Sequence, residues 1–552
     1  MGKWLVEAIR PSRLFIKITK TVIVKFMFAA IRSYFHKENS VKGASLILIV
    51  TLALSNVLGV FRDHFLAQKI PTDRLDIYFA SFRLPDLVFN ILILGSVAAA
   101  FVPVYSKTLK DEGQQKATYL AQATITVGLT AVLVALIALY FLMPYVMRIL
   151  VPDFDFFKRE ETVSLARWLL FSPVFFTISY FLGGILNSHK RFLAYSTAPL
   201  IYNLSIIAAT LIYADRLGVK GIVIGVIAGS ILHMLIQLPA AIKFGFTPRI
   251  VFDLKNKGVA RIIKLMIPRA IGLGANQLLL VAFTGFASAF PGAIAIYTFA
   301  DNIQTVPSVI FGTSFATAVF PTLAGLSLKI KEEKEDFERF FLRSLRAILF
   351  LVIPSTAVLI LLRAQIVRII LGYGFFGWSD TKLAAATLGF FALSLVAQGL
   401  IPLYARSFYA LHDTKTPMIA SIVGIAVSVL CGFWFSRESS FASGVAGLAL
   451  GFSIGSWVNF AILAALLGKK ISPDRAEIAD FIAKTILLTL LAVVVAQFAK
   501  DWVGGVYGLE RARFVALQLV LALISGAIAY FGGAWLLGIK EINPVRSSLG
   551  EK

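Results

Sequence analysis

The chain has 552 residues, of which 58% are hydrophobic and only 15% charged, with 47 phenylalanines and a mean hydropathy of +0.83. A soluble domain carries roughly 25% charged residues, so a soluble globular class is excluded. The formal net charge of +23 would suit nucleic acid, but its distribution along the chain points to a membrane and to no nucleic-acid partner.

Residues 1–40 differ from the rest. At helical spacing Lys3, Arg10, Arg13, Lys17, Lys20, Lys25 and Arg32 share one face, and Trp4, Phe15, Ile18, Val22 and Phe26 lie opposite. The pattern predicts a basic amphipathic helix on the anionic inner leaflet, with a partly disordered basic tail as the alternative. Lys17, Lys20 and Lys25 interrupt any apolar core that a cleaved signal peptide would need.

From residue 41 onward, apolar runs long enough to cross a bilayer recur fourteen times. They lie near 41–61, 75–105, 118–143, 163–186, 194–215, 219–242, 260–289, 292–325, 341–362, 382–410, 416–436, 443–467, 478–498 and 512–538. The fold class read from them is an all-α polytopic membrane protein of about 14 transmembrane helices. Basic residues such as Lys243, Arg249, Lys255, Lys257, Arg261 and Lys264 crowd one set of connections. That bias places the N-terminus in the cytoplasm, and an even number of spans returns the C-terminus there. The charged stretch 326–346 reads as a solvated helix between spans eight and nine. A single cysteine, Cys431, lies in an apolar span and reads as packing.

The chain repeats itself. Gly218, Gly221, Gly225, Gly229 and Ser230 return as Gly444, Gly447, Gly451, Gly455 and Ser456 at a constant offset of 226 residues. Ala100-Phe101-Val102-Pro103 ends span two, and Ala318-Val319-Phe320-Pro321 ends span eight. Leu186 to Lys190 precedes span five, as Leu411 to Lys415 precedes span eleven. A repeat of six spans implies two pseudo-symmetric six-helix lobes, 41–242 and 258–467, related by an axis along the membrane normal. Spans thirteen and fourteen (478–538) are appended. Four-residue glycine spacing predicts close helix contact.

There is no HExxH, no paired-cysteine metal spacing and no phosphate loop, and the five histidines are scattered, with only His233 well inside a span. No catalytic residue, metal or cofactor is predicted, and the chain reads as a transporter rather than an enzyme. Ionisable groups at membrane depth are costly and are therefore the informative residues. Arg62 and Asp63 end span one; Asp76, Arg83 and Asp86 lie in the first half of span two. Arg269 is in span seven, Asp301 in span eight and Arg406 near the end of span ten. Pro85, Pro268 and Pro307 beside them free backbone groups that are best tolerated facing a wet cavity. The arginines suit a phosphate anion. The competing reading is local ion pairing, as of Arg62 with Asp63, or snorkelling to the interface.

Five blocks carry a family resemblance. Ser55 to Asp63, Asp76 to Asp86 and Ala100 to Pro103 resemble the first two spans of the MurJ/MviN family, fourteen-span lipid II flippases of the MOP exporter superfamily. Gly184 to Phe192 with Ala198-Pro199 and Asn203-Leu204 resembles its fourth-to-fifth connection. Tyr297 to Asp301 through Pro307, Gly312 and Pro321 looks like its eighth span, and Arg406 to Pro417 like its tenth-to-eleventh. The resemblance covers about 41–540. It implies a flippase that carries a polyprenyl-diphosphate-linked cell-wall precursor from inner to outer leaflet by alternating access, in the bacterial inner membrane. Cell-wall synthesis proteins are implied as partners. The sequence departs from the family at cavity positions where arginines are typical: here these are Asn56, Phe89 and Asn302, and Leu94 replaces a glutamate. Arg62 and Asp76 match. The resemblance implies Arg62 as diphosphate contact, while Arg83 and Arg269, beside Asn56 and Asn302, are candidates to complete the substrate site. Asp63, Asp76, Asp86 and Asp301 are candidates for ion pairing or gating. The alternatives are another lipid-linked oligosaccharide, a cation-coupled drug exporter, or a non-transporting scaffold on the same fold.

Overall fold

The computed structural model describes residues 41–541 except 95–96, 329–333, 439–442, 472–473, 508–511 and 540. The basic segment expected at 1–40 lies outside the described residues. Every regular element described is helical.

The first six spans begin with α1 (Val41–Lys69) and α2 (Thr72–Phe89). The second continues through π-helical stretches Asn90–Leu94 and Val97–Phe101 into α3 (Val102–Glu112). Then come α4 (Gln114–Leu150), α5 (Phe156–Leu169) with α6 (Phe171–Ser188), α7 (Phe192–Leu217), and α8 (Val219–Leu235) with short α9 (Leu238–Lys243). The next six begin with α10 (Lys257–Ala287) and α11 (Ala293–Pro307), which runs through the π-helical Ser308–Thr313 into α12 (Ser314–Ser327). They finish with α13 (Lys334–Ile370), α14 (Trp378–Ala392) and α15 (Leu395–Ala410), α16 (Lys415–Glu438) and α17 (Val445–Leu467). The last pair, α18 (Arg475–Tyr507) and α19 (Ala512–Leu536), packs together and against α13.

Among the described residues ten helices are long and apolar enough to cross a membrane, and α14 with α15, bent by 41°, make an eleventh. Helix α1, the α2–α3 run and α10 stand where the first, second and seventh spans are expected. The chain is a multi-pass membrane protein. Local chemistry sets the helix starts: Asp155 accepts from Lys158 N at 2.9 Å to cap α5, and Asn256 accepts from Gly258 N at 2.8 Å to cap α10.

One expected element differs. The charged stretch before span nine is not a separate solvated helix, because α13 begins at Lys334 and enters the span unbroken. Phe337 and Phe341 bury the apolar side of its first turns, while Lys334 and Glu338 pair at 3.5 Å on the other.

The repeat is visible in the backbone. Gly218 (φ 56, ψ −136) and Gly444 (φ 65, ψ −137) precede α8 and α17 in the same conformation, one that a residue with a Cβ rarely adopts. The turns after α6 and α15 each use one left-handed residue, Lys190 and His412. The glycine ladders seat α8 on α7 and α17 on α16. A Cβ at Gly225 would overlap Ala209, and one at Gly451 or Gly455 would overlap the backbone of Gly432 or Gly424. A larger side chain at Gly455 must therefore push α16 and α17 apart. Gly455→Leu is expected to cost about 1–3 kcal/mol through overpacking. Gly59→Ala, with nothing within 4 Å of the added carbon, is expected to leave the melting temperature in detergent unchanged. Equal melting temperatures for the two variants would refute this account of the ladder.

At the turn before α16, Asp413 accepts from Lys470 Nζ at 2.7 Å, Thr416 N at 3.0 Å and Thr416 Oγ1 at 2.8 Å. The Lys470 bond, with help from Thr416, holds the Asp413 carboxyl well below the usual carboxylate range. A lowered folded-state pKa stabilises above the unfolded value, about 3.9, and that stabilisation fades as pH falls through the folded value. Asp413→Asn is thus expected to lower the melting temperature at pH 7 and to close the gap to wild type in acid. A gap that stays constant with pH would show that charge is not its source.

Candidate functional site

Spans two and eight, equivalent in the repeat, face each other as α2 and α11. Each carries a proline, Pro85 or Pro307, just ahead of a π-helical stretch. Proline removes an intrahelical hydrogen bond, and π-turns concentrate at functional sites. Between these two spans, α1 and the α6–α8 group lies a cavity of about 360 Å³, with Arg62, Arg83, Asp86 and Asn302 in its lining. Four of the residues singled out from sequence therefore share one space.

Both arginines are tethered. Arg62 donates to Asp63 Oδ1 from Nε at 3.0 Å and from Nη2 at 2.8 Å, and from Nη1 to Asn203 Oδ1 at 3.3 Å. Asp63 is 3% exposed, and its other oxygen accepts from Asn302 Nδ2 at 2.7 Å. Arg62 keeps 20% of its side chain exposed. Arg62 is thus paired locally with Asp63 and also lines the cavity. Arg83 donates from Nε to Thr284 Oγ1 at 2.9 Å and from Nη2 to Thr298 Oγ1 at 3.3 Å. Each network ties one of the first two helices to α10 or α11.

Asp76 is fully buried away from the cavity floor. Its Oδ2 accepts from Gly292 N at 2.7 Å, and its Oδ1 from Ala295 N at 3.0 Å. Lys158 Nζ lies 3.4 Å away and also pairs with Asp73. The carboxylate caps α11 from another helix, where backbone donors and the helix dipole both favour an anion. Gly292, at φ +79, aims its own N–H at it. Further contacts between the two halves gather at this face: His64 Nδ1 with Ile370 O at 2.6 Å, Phe375 N to Gln68 O at 3.3 Å, and Ser288 Oγ to Asp153 Oδ2 at 3.2 Å.

Other expected residues lie elsewhere. Asp301 accepts from Gln304 Nε2 at 2.9 Å, and Gln304 accepts from Gln398 Nε2 at 2.9 Å. Arg406 donates to Thr313 O at 3.2 Å. Asn56 is half-buried on α1 and is not part of the cavity lining. Arg269 belongs to α10, and its side chain lies outside the described residues. Sequence reasoning missed Lys158, Asn203, Thr284 and Thr298, which are ordinary residues until packing brings them to a buried charge. Phe89, named from sequence at a position where the resemblance implies a cavity arginine, does line the cavity, in an aromatic wall with Phe176, Tyr180 and Tyr202 to which sequence reasoning gave no role. Two apolar grooves meet at Pro307. One, about 360 Å³, runs among α13, α18 and α19; the other, about 280 Å³, lies between α1, α11 and α13.

The architecture has solved counterparts. The structure of the lipid II flippase MurJ in an inward closed conformation matches with a TM-score of 0.73 at 23% identity, over 89% of this chain and 99% of that one. An inward-facing multidrug resistance MATE transporter of the MOP superfamily matches with a TM-score of 0.63 at 15% identity, over 77% of this chain and 99% of that one. In sequence, the chain is 30% identical to a probable lipid II flippase MurJ of Bdellovibrio bacteriovorus, over 79% of this chain and 83% of the relative. It is 28% identical to one of Rickettsia prowazekii and 27% identical to the lipid II flippase MurJ of Burkholderia cenocepacia, in each case over 82% of this chain and 89% of the relative. The family model described as lipid II flippase MurJ matches residues 72–515, and the chain belongs to that family.

Proposed function

We propose that the chain carries lipid II, a polyprenyl-diphosphate-linked peptidoglycan precursor, from the inner to the outer leaflet of the bacterial inner membrane. No bond is made or broken in this transport. The observation that carries the reading is the placement of Arg62 and Arg83 in one cavity at the seam between two six-helix groups, 41–242 and 258–467. Guanidinium groups recognise phosphate oxygens through fixed, multidentate donors. They count against the cationic cargo of a drug exporter on the same fold. The apolar grooves meeting at Pro307 offer the polyprenyl tail a path along the seam while the headgroup occupies the cavity. Enzymes that make and consume the precursor are the expected partners.

Taking both termini as cytoplasmic, we read the face bearing the Asp76 contacts as the outer one and this arrangement as the state closed to the outside. Alternating access then requires the lobes to part at Asp76, Gln68 and His64, with the proline and π-helical stretches of spans two and eight absorbing the bend. Taking the Asp76 carboxylate from Lys158 and two amides is expected to cost the outward-closed state about 3–5 kcal/mol. A disulfide between Gln68→Cys and Phe375→Cys, placed in a Cys431→Ala background, is expected to stop lipid II flipping in proteoliposomes, and reduction to restore it. Adding Asp76→Ala is expected to slow formation of that disulfide. Full activity of the cross-linked protein would exclude this face as the outer gate.

The substrate is tested by rescue. The gene is expected to restore growth to cells depleted of their own lipid II flippase, and Arg62→Ala to abolish rescue. A well-expressed, membrane-inserted protein that fails to rescue would point to another cargo.

A further inference from the structure

The inference here rests on reading the cavity as the headgroup site. We propose that Asp86 and His233 take up protons when the diphosphate enters, so that lipid binding is linked to protonation of the cavity. The first ground is charge balance. Over the described side chains, Arg62 and Arg83 face two carboxylates, Asp63 bonded to Arg62 and Asp86 three residues from Arg83. Asp301, whose bonded partner Gln304 is neutral, also acts on Arg83, so the cavity has no net positive charge before a dianionic diphosphate arrives, in surroundings where uncompensated charge is costly. Asp86 is exposed to the cavity and has no hydrogen-bond partner among the described residues. As a carboxylate it repels the ligand; as a neutral acid it donates to a phosphate oxygen.

The second ground is the hydrogen-bond inventory around His233, which lines the same cavity and is 6% exposed. Ser179 Oγ lies 2.7 Å from His233 Nδ1, 2.9 Å from His233 O and 2.7 Å from Gln237 Nε2. Gln237 Nε2 also donates to His233 O at 3.1 Å, which assigns that end of the amide as the donor. The serine's one proton goes to the carbonyl oxygen, which otherwise cannot bond to it. Its lone pairs then accept from Gln237 Nε2 and from His233 Nδ1–H. The neutral imidazole is therefore the Nδ1–H tautomer, and Nε2 is left as a lone pair on a ring facing the cavity. Protonation at Nε2 keeps every one of these bonds and adds a donor for phosphate. The ring stacks on Tyr180 (6.0 Å, 16°) and meets Phe176 edge-on at 5.2 Å, contacts suited to a cation.

The ionisable groups facing this pair are Arg62 on α1, Tyr78 and Arg83 on α2, Tyr180 on α6 and Tyr202 on α7. From α11 come Thr298 and Asn302, with Asp301 turned to Gln304; α5 and α9 contribute no lining residue. The protons come from water, one to an Asp86 oxygen and one to His233 Nε2.

The test uses the full chain in nanodiscs, with lipid II affinity measured from about pH 5.5 to about pH 8.5, a window in which the ligand's carboxylates and diphosphate stay ionised. Proton uptake on mixing is read with a dye in weak buffer. Groups protonated more fully in the complex make affinity fall as pH rises, by up to about tenfold per pH unit for each linked proton. Asp86→Asn, a mimic of the neutral acid, is expected to bind more tightly than wild type at high pH, to fall less steeply as pH rises and to take up one proton fewer, with His233 supplying the slope that remains. His233→Gln is expected to lose low-pH affinity and one proton of uptake, and the double variant to be flat with pH and take up none. Monodisperse elution and an unchanged melting temperature separate these effects from misfolding. Wild-type binding that is tight, flat with pH and without proton uptake overturns the proposal and leaves the substrate reading standing. Flat binding lost in Arg269→Gln overturns it too, by assigning the missing charge to Arg269. Absence of lipid II binding by wild type at every pH removes both.

Discussion

A carboxylate with no water around it must find donors or lose its charge, and Asp76 finds them across the seam of the molecule. Its two oxygens take the first amides of α11, which have no partners within their own helix, and Lys158 balances the charge. The capped helix is the one that carries Thr298 and Asn302 into the cavity, so this contact also sets where those side chains stand relative to Arg62 and Arg83. The site's geometry and the closure of one face are consequently a single arrangement. Breaking the cap would release both.

The cavity shows the same economy of charge. Arg62 is held by Asp63, and Asp63 by Asn302 on the opposite side. A guanidinium committed to a neighbouring carboxylate is pre-positioned, with part of its surface still open to a ligand. The cost is that its charge is already offset. On the proposed reading, an anionic headgroup would meet an aligned site with no net positive charge, and whatever restores that charge would be part of the binding equilibrium. The aromatic wall of Phe89, Tyr180 and Tyr202 adds apolar and hydroxyl surface without charge. In a family where the resemblance implies arginines at positions 56, 89 and 302, the proposed diphosphate site of this chain has Asn56, Phe89 and Asn302 there instead.

The glycine ladders play a different part. They bring α7 to α8 and α16 to α17 at backbone contact, making each pair a stiff unit. Proline and π-helical stretches instead interrupt the regular hydrogen bonding of spans two and eight, both of which contribute to the cavity lining. Rigid pairs moving about bent spans are what rocking lobes require.

Fourteen runs, their order, the six-span repeat and the charge asymmetry were all legible in the sequence, because hydropathy and periodicity are local and lipid enforces them span by span. So were the charges Arg62, Asp63, Asp76, Arg83 and Asp86 as candidates, since a charge at membrane depth stands out whatever its surroundings. Their partners were not. Lys158, Gly292 and Thr284 are far from these charges along the chain and nothing in their local pattern marks them, while Asn203 was visible only as part of a resemblance block and not as a partner of Arg62. Nor could spacing tell that Asp301 would turn to Gln304 while Asn302, one residue on, faced the cavity, or that the charged stretch before span nine would bury Phe337 and Phe341. The sequence by itself determined which groups could not be left in lipid; only the tertiary structure decided which helix would satisfy each one, because that choice is made by packing between distant segments.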